Sequence, residues 1–319
     1  MQHLNTWGAL GALALCATPM AAAAQHWPDG TIELVIPSRP GGGTDIMGRI
    51  VADYLQQALD VPVVVINQPG GGGTVAFEQV RNADPDGQTL LFHHTGLLVN
   101  AHTGKYDRGL EDFTTVAIAQ SYPPQVFAVG ADAPWASLRE FVEDARARPG
   151  ELTVGVALGG SSHFIAGELM ANEEIELRLV EAAAEVDKVA GVQGGHISIG
   201  NLGAGSARQF DQAGQMRGLC MLDPEADPDY PEYQTCASQG VDIEWLSPLV
   251  IWGPASMDPA ITAQINAAIA GMAEDAKVQE RLAATDSAFR ALSVAEAEAL
   301  VAQEDAKIAE LAKSLQLTK

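Results

Sequence analysis

The chain has 319 residues, room for two domains with separate cores. Its 47% hydrophobic and 18% charged residues are globular proportions and exclude a disordered chain. A formal net charge of −23 excludes nucleic acid and anionic membrane surfaces as partners.

Residues 1–24 contain no Asp, Glu, Lys or Arg. Gly8 to Leu15 is apolar, and Ala21-Ala22-Ala23-Ala24 supplies small residues before Gln25. This predicts an export signal cleaved near Ala24. No later stretch is apolar long enough to span a bilayer. Cys16 falls in the removed segment, leaving Cys220 and Cys236 either as a disulfide or as two separately buried thiols.

Strand and helix patterns then alternate, which predicts largely parallel α/β sheets. Ile32 to Ile36 reads as a strand, followed by the turn Pro37-Ser38-Arg39-Pro40-Gly41-Gly42-Gly43-Thr44-Asp45. The next helix has Ile46, Ile50, Val51, Tyr54, Leu55 and Ala58 on one face, with Thr44 or Asp45 as its cap. Val61 to Ile66 is a second strand, and Asn67-Gln68-Pro69-Gly70-Gly71-Gly72-Gly73-Thr74 is the turn after it. Leu90 to His93 and Gln125 to Val129 are further strands, and residues 137–147 form a helix stopped by Pro149-Gly150.

A second unit follows. Thr153 to Ala157 is strand-like, Leu158-Gly159-Gly160-Ser161-Ser162-His163 turns into a helix from Phe164 to Met170, and Ile175 to Val180 is a strand. Residues 185–193 are helical, and His196 to Ile199 and Gln215 to Met221 are strands. The acidic, Pro-containing loop Asp223 to Tyr233 reads as surface. Leu249 to Trp252 is a strand crossing back to the first unit. Helices follow at 259–274, 276–284 and 294–315, the last capped by Ser293. The stripe Ile261, Ile265, Ile269 and Met272 marks the first of these as a packing helix. The expected lobes are 25–122 plus 250–319, and 123–249.

Each glycine turn opens a helix, where free backbone N–H groups and the helix dipole favour an anion. The turns lack the G-x-G-x-x-G spacing of a dinucleotide site and the Gly-Lys-Ser/Thr of a P-loop. They read as cradles for an anion with no need of basic side chains. Arg39 is either a bidentate partner for a carboxylate or an exposed loop arginine. Gly159-Gly160-Ser161-Ser162-His163 has His163 where a nucleophile elbow needs glycine, which leaves a serine hydrolase as the minor reading. Its better reading is a third helix start that donates to an anion. His93, His94 and His102 match no zinc spacing. No metal, no cofactor and no catalysis are expected.

In order, these motifs resemble the solute receptors of tripartite tricarboxylate transporters, the TctC or Bug family. The carriers are Ile36-Pro37, Pro40 to Asp45 with Arg49, Asn67 to Gly73, Asp86-Gly87-Gln88-Thr89-Leu90-Leu91, Asp112-Phe113, Gly160 to Phe164, Gly194-Gly195-His196-Ile197 and Gly240-Val241-Asp242. The resemblance runs from Trp27 to the C-terminal helices. It implies a type II periplasmic binding protein: two α/β lobes, each with a central sheet, joined by a hinge around a ligand in the cleft. It further implies a monomer that captures an organic di- or tricarboxylate and delivers it to membrane permease subunits. A sensor presenting its closed form to a membrane kinase is the alternative.

The implied ligand contacts are Ser38, Arg39, Gly41, Gly42, Gly43, Thr44 and Asp45 in the first turn and Gly71, Gly72, Gly73 and Thr74 in the second. Gly160, Ser161, Ser162 and His163 join them from the other lobe. The family's Gly-rich or Tyr-Lys-Gly pocket loop is replaced by Val180-Glu181-Ala182-Ala183-Ala184-Glu185, which puts Ala182 at the ligand. Thr44 replaces a tryptophan frequent in the citrate-like branch. Both departures point to an acid smaller or more apolar than citrate.

Overall fold

The computed structural model describes residues 27–121, 124–285, 287, 289 and 291–318; the export signal lies outside them. The strands are β1 (Ile32–Ile36), β2 (Val63–Asn67), β3 (Thr89–His93), β4 (Phe113–Ser121) and β5 (Gln125–Gly130). They continue as β6 (Thr153–Val156), β7 (Arg178–Glu181), β8 (Ile199–Gly203), β9 (Met216–Met221) and β10 (Pro248–Pro254). Between them run α1 (Gly43–Leu59), α2 (Thr74–Arg81), α3 (Gly96–His102), α4 (Leu138–Ala147) and α5 (Ser161–Asn172). The remaining helices are α6 (Glu185–Gln193), α7 (Ala204–Gln212), α8 (Pro259–Ala270), α9 (Ala276–Ala283) and α10 (Val294–Ser314).

The strands form two sheets, in the orders β2-β1-β3-β10-β4 and β7-β6-β8-β5-β9. Each sheet is mixed, which corrects the expectation of largely parallel sheets. β10 runs antiparallel to β3 and β4, and β5 antiparallel to β8 and β9. The reason is the crossing of the chain. β4 leaves the first sheet and β5 enters the second within a few residues, so the entering strand must run against its parallel neighbours. β10 repeats this on the return. The carboxyl ends of the parallel strands of both sheets therefore face each other, and every turn after β1, β2, β3, β6, β7 and β8 lies at that junction.

Other expectations shift in detail. Ile46 and Ala58 are exposed, and α1 instead buries Met47, Ile50, Val51, Ala52 and Leu55. The cap of α1 is the backbone of Gly42, with no side-chain hydrogen bond, so Thr44 and Asp45 sit inside its first turn. The strands expected at Ile175 to Val180 and His196 to Ile199 lie later, as β7 and β8. The loop Asp223 to Tyr233 is not all surface: Tyr230 and Tyr233 are buried against Val126, Ala128 and Met221 in one apolar cluster. Cys220 and Cys236 are bonded to each other. Ser293 caps α10 by accepting from Glu296 N, and Ile261, Ile265, Ile269 and Met272 are all buried.

One apolar cluster runs from Val35, Phe77 and Leu97 through Phe127, Phe141 and Phe164 to Val301, Ile308 and Leu311. α10 thereby ties the two sheets together. Among the described residues no helix is long and apolar enough to cross a membrane.

Candidate functional site

In an open α/β sheet, ligands bind at the carboxyl ends of two strands whose connections leave in opposite directions. Here β1 connects through α1 to β2 on one side, and β3 connects through α3 to β4 on the other. The β1/β3 fork is therefore the switch point of the first sheet. By the same argument the β6/β8 fork is that of the second. The first and third glycine turns follow β1 and β6 at these forks, and the second, after β2, packs against Pro37 of the first.

The first two turns are locked together. Asn67 at the end of β2 donates from Nδ2 to Ser38 O (3.1 Å) and to Asp45 Oδ1 (2.8 Å). Asp45 Oδ2 accepts from Gly41 N (2.8 Å) and Arg49 Nε (3.0 Å). Burial pushes the Asp45 carboxyl up, but the Arg49, Gly41 and Asn67 donors outweigh it and hold the group below its usual value. Both oxygens of Asp45 thus serve inside the turn, and its side chain shapes the cradle. Gly41, Gly43, Gly71 and Gly72 are exposed, while Thr44 is buried. Arg39 is exposed and forms no ion pair among the described residues. Gly71, Gly72 and Gly73 all adopt positive φ, a succession that favours glycine, and Thr74 Oγ1 closes the turn on Gly71 O (3.2 Å).

Polar atoms of the segments after β1 and β3 also lie at the β1/β3 fork. The register Val35↔Leu91 brings Ser38 beside the His93-His94-Thr95 segment. Ser38 Oγ, His93 Nδ1 and Thr95 Oγ1 are buried without a hydrogen-bond partner among the described residues. Native structures rarely leave such atoms without a role. Burial holds the imidazole of His93 well below its ordinary pKa and that of His94 down to about 4, so both are neutral donor–acceptor rings at neutral pH. Thr95 gave no sequence signal beyond following a strand. His102 lies elsewhere, 2.7 Å from Asp305 of α10.

The third turn is built on its own side chains. Ser162 Oγ accepts from Ala157 N (2.8 Å), and His163 Nδ1 accepts from Gly159 N (3.0 Å). His163 is therefore neutral with its proton on Nε2, and burial lowers its pKa further. Among the described residues no hydrogen bond joins His163 to Ser161 or Ser162. Glu181 Oε2 takes Leu158 N (3.1 Å) and Glu185 Oε2 takes Gly203 N (2.9 Å), so both carboxylates staple loops at the junction. Ala182 is buried, and its amide donates to Val156 O (2.8 Å).

A model of the tripartite tricarboxylate transporter family receptor matches residues 47–317. The chain belongs to this receptor family. A UPF0065 protein of Pseudomonas sp. (strain P51) is 30% identical over 275 residues, covering 82% of this chain and 81% of the relative. A TctC solute binding protein from Polaromonas, solved without ligand, superposes with a TM-score of 0.82 at 24% identity, covering 90% of this chain and 99% of that one. An adipate-bound protein of R. palustris gives 0.71 at 24% identity, covering 91% and 98%. A malate-bound protein of Rhodopseudomonas palustris gives 0.69 at 22%, covering 89% and 99%. The receptor is a solute-binding protein with the two-lobed α/β fold, not an enzyme.

Two features of the receptor's junction bear on its ligand. Of the five large apolar side chains exposed among the described residues, Ile46, Val75, Leu158 and Val186 sit in the first turns after β1, β2, β6 and β7. Only Val64, on edge strand β2, lies elsewhere. The second feature is a bond between the lobes: Lys105 Nζ donates to Gly159 O (3.1 Å). Asn100 Nδ2 donates to Gly72 O (3.0 Å), and Asn100 O accepts from Lys105 N (3.0 Å), so this bond links the second and third turns. Lys105→Met should weaken ligand binding about two- to five-fold, the size expected of one exposed charge-assisted bond. Calorimetry checks the affinity, and an unchanged thermal midpoint confirms that only closure is affected.

Proposed function

We propose that this receptor captures a small organic acid with at least one carboxylate between its lobes and passes the closed complex to the permease of a tripartite transporter. The observation that carries the reading is the β1/β3 fork. Two glycine turns locked by Asn67 accompany three buried, partnerless polar atoms, and two helix dipoles begin there. A carboxylate, directly or through water, satisfies Ser38 Oγ and Thr95 Oγ1 together with the turn amides. Local donors decide here despite a charge of −23, because screening removes the distant charges.

The third turn, from Gly160 to His163, meets the far end of the ligand. Its lobe is residues 123–249, and the other is 25–122 with 250–319. Closure is favoured by as much as the ligand binds the closed form better. The four exposed apolar side chains at the junction favour an acid with an aliphatic body over citrate. The adipate- and malate-bound neighbours support a dicarboxylate. Export with cleavage near Ala24 delivers the receptor to the periplasm in this reading, and the receptor acts there as a monomer.

Calorimetry against di- and tricarboxylates and aromatic acids tests this. Saturable binding of an aliphatic diacid is expected, and absence of binding by every acid overturns the reading. Deletion of the receptor should also abolish uptake of that acid by the parent cell; unchanged uptake with intact binding would assign a sensing role instead.

A further inference from the structure

The second lobe carries a buried cation that no glycine turn explains. Lys188 stands in the first turns of α6 and is 7% exposed. Helical side chains lean toward the N-terminus of their helix, and the N-terminus of α6 follows β7 at the junction. The stem of Lys188 crosses Gly155 and Gly200. A methyl at Gly155 would lie 3.4 Å from Lys188 Cγ, and one at Gly200 3.5 Å from its Cβ. These two glycines are register partners, and they form the last pair between β6 and β8. β6 goes on to pair with β7 as far as Val156↔Glu181, so β6 and β8 part just where the lysine passes.

The ammonium ends at this fork. It donates to Asn201 Oδ1 (2.8 Å) and Asn201 O (3.2 Å), and Asn201 Nδ2 in turn donates to Gln125 Oε1. An ammonium has three protons, and among the described residues it meets only these two acceptors, both neutral. The nearest charge, Glu185 on its own helix, is engaged by Gly203 N. β5, β6 and β8 bring no ionisable side chain, and Glu181 at the end of β7 is held by Leu158 N. A buried cation with neutral partners is costly to maintain, and an anion arriving at the fork removes that cost.

We infer that Lys188, held by Asn201 at the β6/β8 fork, is the second-lobe anchor for a second carboxylate of the ligand. The first lobe then grips one end of an aliphatic diacid through amides and hydroxyls, and the second grips the other through a charge. The flexible four-carbon stem lets the ammonium move between Asn201 and the ligand. The anchor rests on the proposed receptor role but is separable from it.

The test pairs each diacid with its half-ester, which keeps one carboxylate and masks the other. By calorimetry at pH 7, Lys188→Met should weaken diacid binding at least about ten-fold, the loss of one charge-assisted bond, and leave the half-ester within about two-fold. Wild-type protein gives a second measurement that does not depend on the variant folding. Burial lowers the Lys188 ammonium to about 8, so diacid affinity should hold below that pH and fall above it, while half-ester affinity stays flat. Equal losses for diacid and half-ester, or a wild-type diacid affinity without a break near pH 8, overturn the anchor and leave the receptor role standing. If wild-type protein binds no acid at all, the receptor role falls, and the anchor with it.

Discussion

Gly73→Ala is expected to destabilise the protein by about 2–5 kcal/mol and to weaken acid binding about ten- to a hundred-fold. Gly73 has φ 104°, where an L side chain is strained by about 1–2 kcal/mol. A methyl there would also lie 2.9 Å from Phe77 Cζ and 3.1 Å from Pro37 Cβ. Phe77 is fully buried and Pro37 belongs to the first turn, so neither yields without disturbing the cradle. Overpacking of this kind costs about 1–3 kcal/mol more. The displacement pushes the two turns apart, and each misaligned bond to a charged carboxylate is worth about 1.5–3 kcal/mol. Gly72→Ala is the control. It shares a positive φ of 69° but has nothing within 4 Å of the added methyl, so only the strain remains. Denaturant midpoints and calorimetry should rank Gly72→Ala well above Gly73→Ala in both respects. Equal effects would show that contact between the turns does not set the site.

The residues that announce this site in the sequence are those whose backbone does the work. Runs of glycine between an apolar strand and a helix are visible without coordinates, because few other residues tolerate three successive positive φ values. The return of Leu249 to Trp252 to the first sheet was also legible, and the structure pairs β10 with β3 and β4. Asp45 was legible as a residue of the turn but not in its role. That role depends on Asn67, 22 positions away, and on Gly41 and Arg49 converging on it.

Other elements gave weak signals for physical reasons. α7 buries only Ala204 and Ala207 and has no side-chain cap, so it shows neither periodicity nor an N-terminal mark. α3 presents Leu97, Leu98 and Val99 in succession, a run that suits a buried strand as well as a short helix. Ile46 falls on the helical stripe yet is exposed, because it stands at the junction and not on the sheet. Lys188 carries no signal of its own in the sequence beyond lying in the helix 185–193 beside Glu185 and Asp187. Its meaning comes from Gly155 and Gly200 lying side by side, a pairing that only the strand register reveals.

Glu168→Gln should make the protein more stable at pH 8, by about 2–3 kcal/mol, although it removes one half of an ion pair. Glu168 of α5 faces α10, where Lys307 Nζ lies 2.8 Å from its Oε1. Its other oxygen is buried without a partner, and so is Oε2 of Glu304 on α10. Lys307 is shared with the carbonyl of Glu244 and the ring of Trp245. Burial therefore dominates and drives the Glu168 carboxyl up to about 7, with the attraction of Lys307 opposing it, and burial raises Glu304 as well. The folded state then holds a proton that the unfolded chain releases above its ordinary value of 4.5. Stability from this group is full below pH 4.5 and declines as pH rises toward 7, by at most about 1.4 kcal/mol per pH unit. The wild-type profile alone hides this, because His93 and His94 are depressed and lose stability on acidification over part of the same range. The difference between Glu168→Gln and wild type isolates it: largest at pH 8, gone near pH 4.5. Chemical denaturation at a series of pH values measures that difference. A variant less stable than wild type at pH 8 would mean that Lys307 outweighs desolvation. The predicted sign makes acid tighten the contact between α5 and α10, the helix that ties the two sheets together.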